Sequence, residues 1–84
     1  MKLIEMYTKN ECPWCEKAFN LITKTIGKGR VTTVYNLNTC IEHKEKLLER
    51  YSEAKTVPQI FIDGKHIGGY EDLVEYIDNT TSLG

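Results

Sequence analysis

Cys12-Pro13-Trp14-Cys15 places two thiols three residues apart, with a proline directly after the first. The apolar run Leu3-Ile4-Glu5-Met6-Tyr7 precedes the pair, and a segment with helically spaced apolar residues follows it. Cys12 is therefore expected at a helix N-cap, where unpaired N–H groups and the helix dipole favour an anion. Such positions bring a thiol pKa from ~8.5 into the range of about 3.5–7.5, and the thiolate is the nucleophile. A fall to about 5 raises the thiolate fraction at pH 7 roughly thirty-fold. Nucleophilicity falls along a Brønsted slope of ~0.4–0.5, which cancels most of that gain at the attack step. The benefit lies in leaving: a low-pKa Cys12 is expelled quickly when another thiol attacks its mixed disulfide. Cys15, on the same face of the first turn and expected to be more buried, is close enough to close a disulfide. The chemistry this spacing suits is thiol–disulfide exchange, with Cys12 attacking and Cys15 resolving.

Two other readings use the same residues. A pair of inert core cysteines is one, although Cys-X-X-Cys with proline at the first helical position is a poor way to fill a core. A metal site is the sharper rival. Cys40 and His43 repeat the two-residue gap, so the chain can be written Cys-x2-Cys-x24-Cys-x2-His, a spacing compatible with a tetrahedral zinc site. Against it, both pairs sit at helix starts rather than in glycine-rich knuckles. Cys40 alone reads as a half-buried helix-start residue, His43 as a solvated helix residue and His66 as a strand residue near a hairpin.

The elements around these residues alternate. Pro13 suits the first turn of a helix, and Trp14, Ala18, Leu21, Ile22 and Ile26 recur behind it at helical spacing. Gly27-Lys28-Gly29 is expected to stop that helix. Val31-Thr32-Thr33-Val34-Tyr35 is β-branched and aromatic, as a strand requires. Thr39-Cys40-Ile41-Glu42 has the form of a capping box, opening a charged helix that is expected to bury Ile41, Leu48 and Tyr51. Asp63-Gly64 between Val57-Pro58-Gln59-Ile60-Phe61-Ile62 and Lys65-His66-Ile67 signals a hairpin. Gly68-Gly69 breaks its second strand. A last helix begins with Glu71 and Asp72 in its first turn and turns Leu73, Val74 and Ile77 inward. The order β-α-β-α-β-β-α makes an α/β fold, with the first two strands parallel and the last two antiparallel. Helices are expected on both faces of a four-stranded mixed sheet.

Length and composition limit what this arrangement can serve. Eighty-four residues make one domain, here taken as residues 1–84. Eleven basic against twelve acidic residues argue against a nucleic-acid binder that relies on phosphate neutralisation. No run approaches ~20 apolar residues, so no membrane span is expected. Glu5 interrupts any signal-type apolar run at the N-terminus, which points to a cytoplasmic, reducing compartment. Three cysteines are too few, and of the wrong parity, for a disulfide scaffold.

Three motifs in order complete the reading. Tyr7-Thr8-Lys9 followed by Cys12-Pro13-Trp14-Cys15, then Thr56-Val57-Pro58-Gln59-Ile60-Phe61-Ile62, then Gly68-Gly69-Tyr70-Glu71-Asp72-Leu73 resemble the dithiol active-site segment, the substrate loop with the third strand, and the glycine-pair motif of glutaredoxins. The resemblance covers nearly the whole chain. It implies a thioredoxin fold and a monomeric glutathione-dependent thiol–disulfide oxidoreductase, with glutathione as reducing co-substrate and no metal. Disulfide-containing proteins are the implied partners, ribonucleotide reductase among them. A thioredoxin-like redoxin recharged by a flavoprotein reductase is the alternative within this class, and an iron–sulfur or zinc module the one outside it.

Carried over by position, Pro58 matches the family's cis-proline beside the cysteines, leaving Val57 to pair its backbone with the cysteinyl unit of glutathione. Lys9 and Lys55, the latter just before Thr56, offer cations to the glycyl carboxylate. Gly69 admits close ligand approach. Tyr70, Glu71 and Asp72 open the last helix, whose N–H groups suit the γ-glutamyl carboxylate while Asp72 accepts from its ammonium. Trp14 stands where the family usually has tyrosine, a larger ring without a hydroxyl that can still flank the sulfur and bound glutathione.

Overall fold

The structure, a computed structural model, describes residues 3–25 and 31–81. Strand β1 (Ile4–Thr8) leads into helix α1 (Pro13–Thr25), strand β2 (Val31–Asn36) and helix α2 (Ile41–Arg50). Strands β3 (Gln59–Ile62) and β4 (Lys65–Gly68) and helix α3 (Tyr70–Thr81) complete the chain. The sheet order is β2-β1-β3-β4, with β1 and β2 parallel and the other pairs antiparallel. This is the expected β-α-β-α-β-β-α arrangement. The stop assigned to Gly27-Lys28-Gly29, and the inward face of Ile26, lie outside the described residues.

Side-chain alternation along the two central strands separates two layers of core. Ile4 and Met6 of β1 and Ile60 and Ile62 of β3 point to one face, where they meet Ala18 and Ile22 of α1 and Leu73 and Ile77 of α3. Tyr7 and Phe61 point to the other face and pack on Leu47 of α2. Helices therefore do cover both faces. Asp63 and Gly64 adopt positive φ values of 53° and 81°, as a tight two-residue turn of this kind requires. The Asp63 carboxylate also accepts the Leu3 N–H at 2.8 Å, tying the hairpin tip to the start of β1.

Helix α2 departs from its expected phase. Leu47 is buried, whereas Ile41 is 75% and Leu48 37% exposed, and Tyr51 is half-buried. The inward stripe runs through His43, Leu47 and Arg50 rather than Ile41 and Leu48, so a histidine and an arginine share the buried face. Arg50 donates to Glu5 Oε1 at 2.9 Å and Oε2 at 3.1 Å and to the Tyr7 hydroxyl at 3.1 Å, and its guanidinium lies 3.9 Å from the Phe61 ring centre. The Tyr35 hydroxyl donates to the same Glu5 carboxylate at 3.1 Å. The hydrogen bonds from Arg50 hold the Glu5 carboxyl below its ordinary range, with partial burial opposing them. Burial, and then the Glu5 carboxylate, raise Tyr35 above its ordinary value.

The capping box does not form either. The helix starts at Ile41, so Cys40 is its N-cap and makes no side-chain capping bond, while the Thr39 hydroxyl donates to the Asn36 carbonyl at 3.0 Å.

Candidate active site

The C-terminal ends of β1 and β3 and the start of α1 converge on the two cysteines. A turn over Lys9–Glu11 delivers the chain to Cys12, with Glu11 in the left-handed region at φ 53°. Asn38 Oδ1 accepts the Asn10 N–H at 2.7 Å, and Asn36 Nδ2 donates to Asn10 Oδ1 at 3.0 Å. These bonds lash that turn to the end of β2. Helix α1 then begins at Pro13, and the Cys12 carbonyl accepts the N–H groups of Cys15 and Glu16, both at 3.1 Å, which makes Cys12 the N-cap.

Cys12 and Cys15 are joined by a disulfide, with Cα atoms 5.2 Å apart. The Cys15 N–H also points at Cys12 Sγ, 3.2 Å away, so a backbone donor is aimed at the sulfur expected to carry negative charge. Cys15 is the more buried of the two, at 3% exposure against 7%. Opposite the pair, the Val57–Pro58 peptide is cis, and the Val57 carbonyl lies 3.8 Å from Cys12 Sγ.

A groove of about 510 Å³ lies along the Val57–Pro58 segment, and the cysteines themselves are not among its lining residues. Thr56, Val57 and Pro58 form one wall, Trp14 flanks it, and Gly69, Tyr70, Glu71 and Asp72 close the far end. Trp14 is 53% exposed, outside the core stripe of α1, with its ring 5.5 Å from Tyr70 and the Lys17 amine 4.6 Å from its centre. Lys9 and Lys55 do not line this groove. Both are exposed and border a separate recess of about 390 Å³, which shares Thr56 and Val57 with the groove. The expected site residues therefore fall into three spaces: Glu71 and Asp72 in the groove, Lys9 and Lys55 at the recess that meets it at Val57, and Cys12 and Cys15 in a third cavity of about 370 Å³ that Lys9 also borders.

The glycine pair divides its duties differently from the sequence reading. Gly68 carries φ +123°, and a Cβ there would collide with the Asp72 carboxylate, whereas a Cβ at Gly69 would rest 3.5 Å from the Pro58 carbonyl, an ordinary contact. Gly68 lines the groove and is the position where any side chain is strained. Asp72 Oδ2 accepts the Gly69 N–H at 3.1 Å, reaching back to the N-cap of α3 as the second half of a capping box does.

The structure adds residues that the spacing did not single out. His66, Gln59 and Tyr51 also line the groove. The Gln59 amide donates to the Thr56 carbonyl at 3.0 Å, and its oxygen faces His66 Nε2 at 2.8 Å, so that nitrogen carries the proton. Burial lowers the His66 pKa below its ordinary value, with the Asp72 charge acting in the opposite sense. In the sequence Gln59 is one polar residue within an apolar strand run, and His66 a strand residue near the hairpin, and neither position pairs the two.

Cys40 and His43 do not join the cysteine pair. Cys40 Sγ lies 3.6 Å from Glu42 Oε1. His43, expected to be solvated, is half-buried and donates from Nδ1 to the Asn36 carbonyl at 2.7 Å, its ring edge-on to Tyr35. Among the described residues no group of His, Cys, Asp or Glu is arranged to hold a metal ion. The zinc spacing is thus not assembled.

The glutaredoxin family model matches residues 4–67. Glutaredoxin 3 of Escherichia coli K12 is 40% identical over 73 residues, covering 87% of this chain and 83% of its own. The crystal structure of oxidised glutaredoxin 2 from Chlamydomonas reinhardtii superposes with a TM-score of 0.73 at 32% identity, over 95% of this chain and 75% of that one. That of the buckwheat glutaredoxin–glutathione complex shares the fold, with a TM-score of 0.77 at 24% identity over 98% and 74% of the two chains. With its dithiol at the N-cap of α1 and its cis-proline loop opposite, the chain belongs to the glutaredoxin family of glutathione-dependent thiol–disulfide oxidoreductases.

Proposed function

We propose that glutathione lies across Val57 with its sulfur at Cys12, its γ-glutamyl end at the start of α3 and its glycyl carboxylate toward Lys9 and Lys55. The observation that carries this reading is the position of Cys12 Sγ, 3.8 Å from the Val57 carbonyl where the groove and the lysine-bordered recess meet. A tripeptide charged at both ends is then met by opposite charge at both ends. Val57 offers its backbone as a one-residue strand to the cysteinyl unit. The free N–H groups at the N-terminus of α3 suit the α-carboxylate. Trp14 supplies an apolar flank.

Exchange proceeds in two branches. With a glutathione mixed disulfide, the Cys12 thiolate attacks the glutathione sulfur; a Cys12–glutathione bond forms, the substrate S–S bond breaks, and the departing thiolate takes a proton from solvent. A second glutathione thiolate attacks the glutathione sulfur of that adduct, releasing the Cys12 thiolate and glutathione disulfide. With a protein disulfide, Cys12 becomes joined to the protein. Cys15 attacks Cys12 Sγ, its proton passing to the departing protein thiolate, and the Cys12–Cys15 disulfide remains. Two glutathiones then reduce it. Proximity gives Cys15 an effective molarity that reaches ~10⁵ M in well-aligned cases, far above millimolar glutathione. The substrates are disulfide-containing proteins, ribonucleotide reductase among them, and the protein works as a monomer in the cytoplasm.

The test is a pair of substitutions on two substrates. Cys15→Ser retains turnover of a glutathionylated model disulfide with glutathione but loses most protein-disulfide reduction, whereas Cys12→Ser loses both. Equal loss of both activities in a folded Cys15→Ser protein overturns the division of roles. Faster recycling by a flavoprotein thioredoxin reductase than by glutathione favours the redoxin alternative.

A further inference from the structure

The recess bordered by Lys9 and Lys55 is larger than a glycyl carboxylate needs. Its volume is about 390 Å³; Leu37, Leu48 and Ala54 contribute an apolar floor, and a third lysine, Lys44 of α2, stands on its rim. Among the described residues no carboxylate lines it. That is a local excess of positive charge in a chain whose overall charge is −1. Leu48, expected in the core, is instead 37% exposed at this recess. The far end of the neighbouring groove carries Glu71 and Asp72, so charge of opposite sign lies on the two sides of Val57.

We infer that the recess is a docking subsite for a protein substrate, and that it takes an acidic, partly apolar segment on the C-terminal side of the cysteine joined to Cys12. The inference rests on the glutathione orientation proposed above, because chain direction follows from it. In glutathione the residue after cysteine faces the lysines. A peptide pairing with the same Val57 backbone in the same sense sends its following residues along the same path, past the glycyl position and toward Lys44. Side chains there meet leucine and alanine below and ammonium groups at the rim, which selects carboxylates and disfavours lysine or arginine. Residues before the cysteine head toward the start of α3, where the N–H groups accommodate one carboxylate and any further one meets Glu71 and Asp72 with no lysine to offset them.

The experiment uses homodimeric disulfides of single-cysteine peptides, in which attack on either sulfur gives the same mixed disulfide. Three peptides place two glutamates after the cysteine, two glutamates before it, or two lysines after it. The peptide with glutamates after the cysteine is expected to show the highest kcat/KM, by roughly three- to fivefold, the scale of an exposed charge pair. The advantage shrinks as ionic strength rises. Lys44→Glu removes most of it and Lys44→Arg keeps it, the three peptides being compared within each protein so that any change in glutathione binding cancels from the ratio. Equal rates for the three peptides, preference for glutamates before the cysteine, or a Lys44→Glu protein with unchanged selectivity each overturn the inference. Failure of the underlying glutathione orientation is distinct, since Lys55→Gln then leaves the KM for glutathione at its parental value.

Discussion

Gly68 illustrates how much one residue without a side chain controls here. At φ +123° it ends β4, and the space where its Cβ would stand is filled by the Asp72 carboxylate that caps α3. Gly68→Ala therefore forces both a disfavoured backbone conformation and the displacement of a capping group. It is expected to destabilise the protein by about 1–3 kcal/mol, measured by urea denaturation. Gly69→Ala, whose Cβ meets only an ordinary contact, should cost less. Equal losses would mean that Asp72 moves aside freely.

Among the elements, α2 and β4 attach to the sheet through polar side chains as much as apolar ones. Removing Arg50 leaves the partly buried Glu5 carboxylate without its main donor. Arg50→Met is expected to lower stability by about 1–3 kcal/mol, less than for a fully buried pair because Arg50 and Glu5 are 26% and 13% exposed. A double-mutant cycle with Glu5→Gln should show coupling between the two. The pH dependence follows from the lowered Glu5 pKa. The folded protein holds this proton less tightly than the unfolded chain, so the contribution is present above the ordinary value of 4.5 and is lost as pH falls through the lower folded value. Acid sensitivity in that window should be smaller in Arg50→Met.

His66 in β4 behaves in the same sense at higher pH. Its folded pKa is depressed by burial, so the unfolded chain binds the proton more readily. Stability is then fully present above about 6.5 and declines as pH falls below that value toward the folded pKa. Denaturation midpoints between pH 7 and pH 5 should show this decline in the parent and a flatter profile in His66→Gln. An unchanged slope in the variant would assign it to another group.

At the scale of the whole molecule, two cores lie back to back and share β1 and β3. Ile22 anchors the larger one beneath α1 and α3, and Leu47 the smaller one beneath α2. Leucine- or isoleucine-to-alanine changes at such sites cost about 2–5 kcal/mol. Because both cores rest on the same two strands, Ile22→Ala and Leu47→Ala should each shift one common unfolding transition. Far-ultraviolet circular dichroism and Trp14 fluorescence should report the same midpoint in both variants. Separate midpoints in Leu47→Ala would mean that α2 detaches on its own.

What the sequence determined by itself was whatever depends on neighbours in the chain. The element order, the hairpin at Asp63-Gly64, the N-cap position of Cys12 and the burial of Cys15 beneath it rest on interactions within a few residues, which spacing records directly. The three motifs carried the family and, with it, the residues around the groove. The tertiary structure decided what depends on residues far apart in the chain. Glu5 and Arg50 are separated by 45 positions, and neither periodicity nor propensity pairs them. In the same helix Leu47 takes the core position and Leu48 faces a recess. The same holds for the split between the acidic groove and the lysine recess, and for the choice of Gly68 over Gly69 as the position where any side chain is strained. Each depends on which side chain occupies a shared volume, and one-dimensional spacing does not contain that volume.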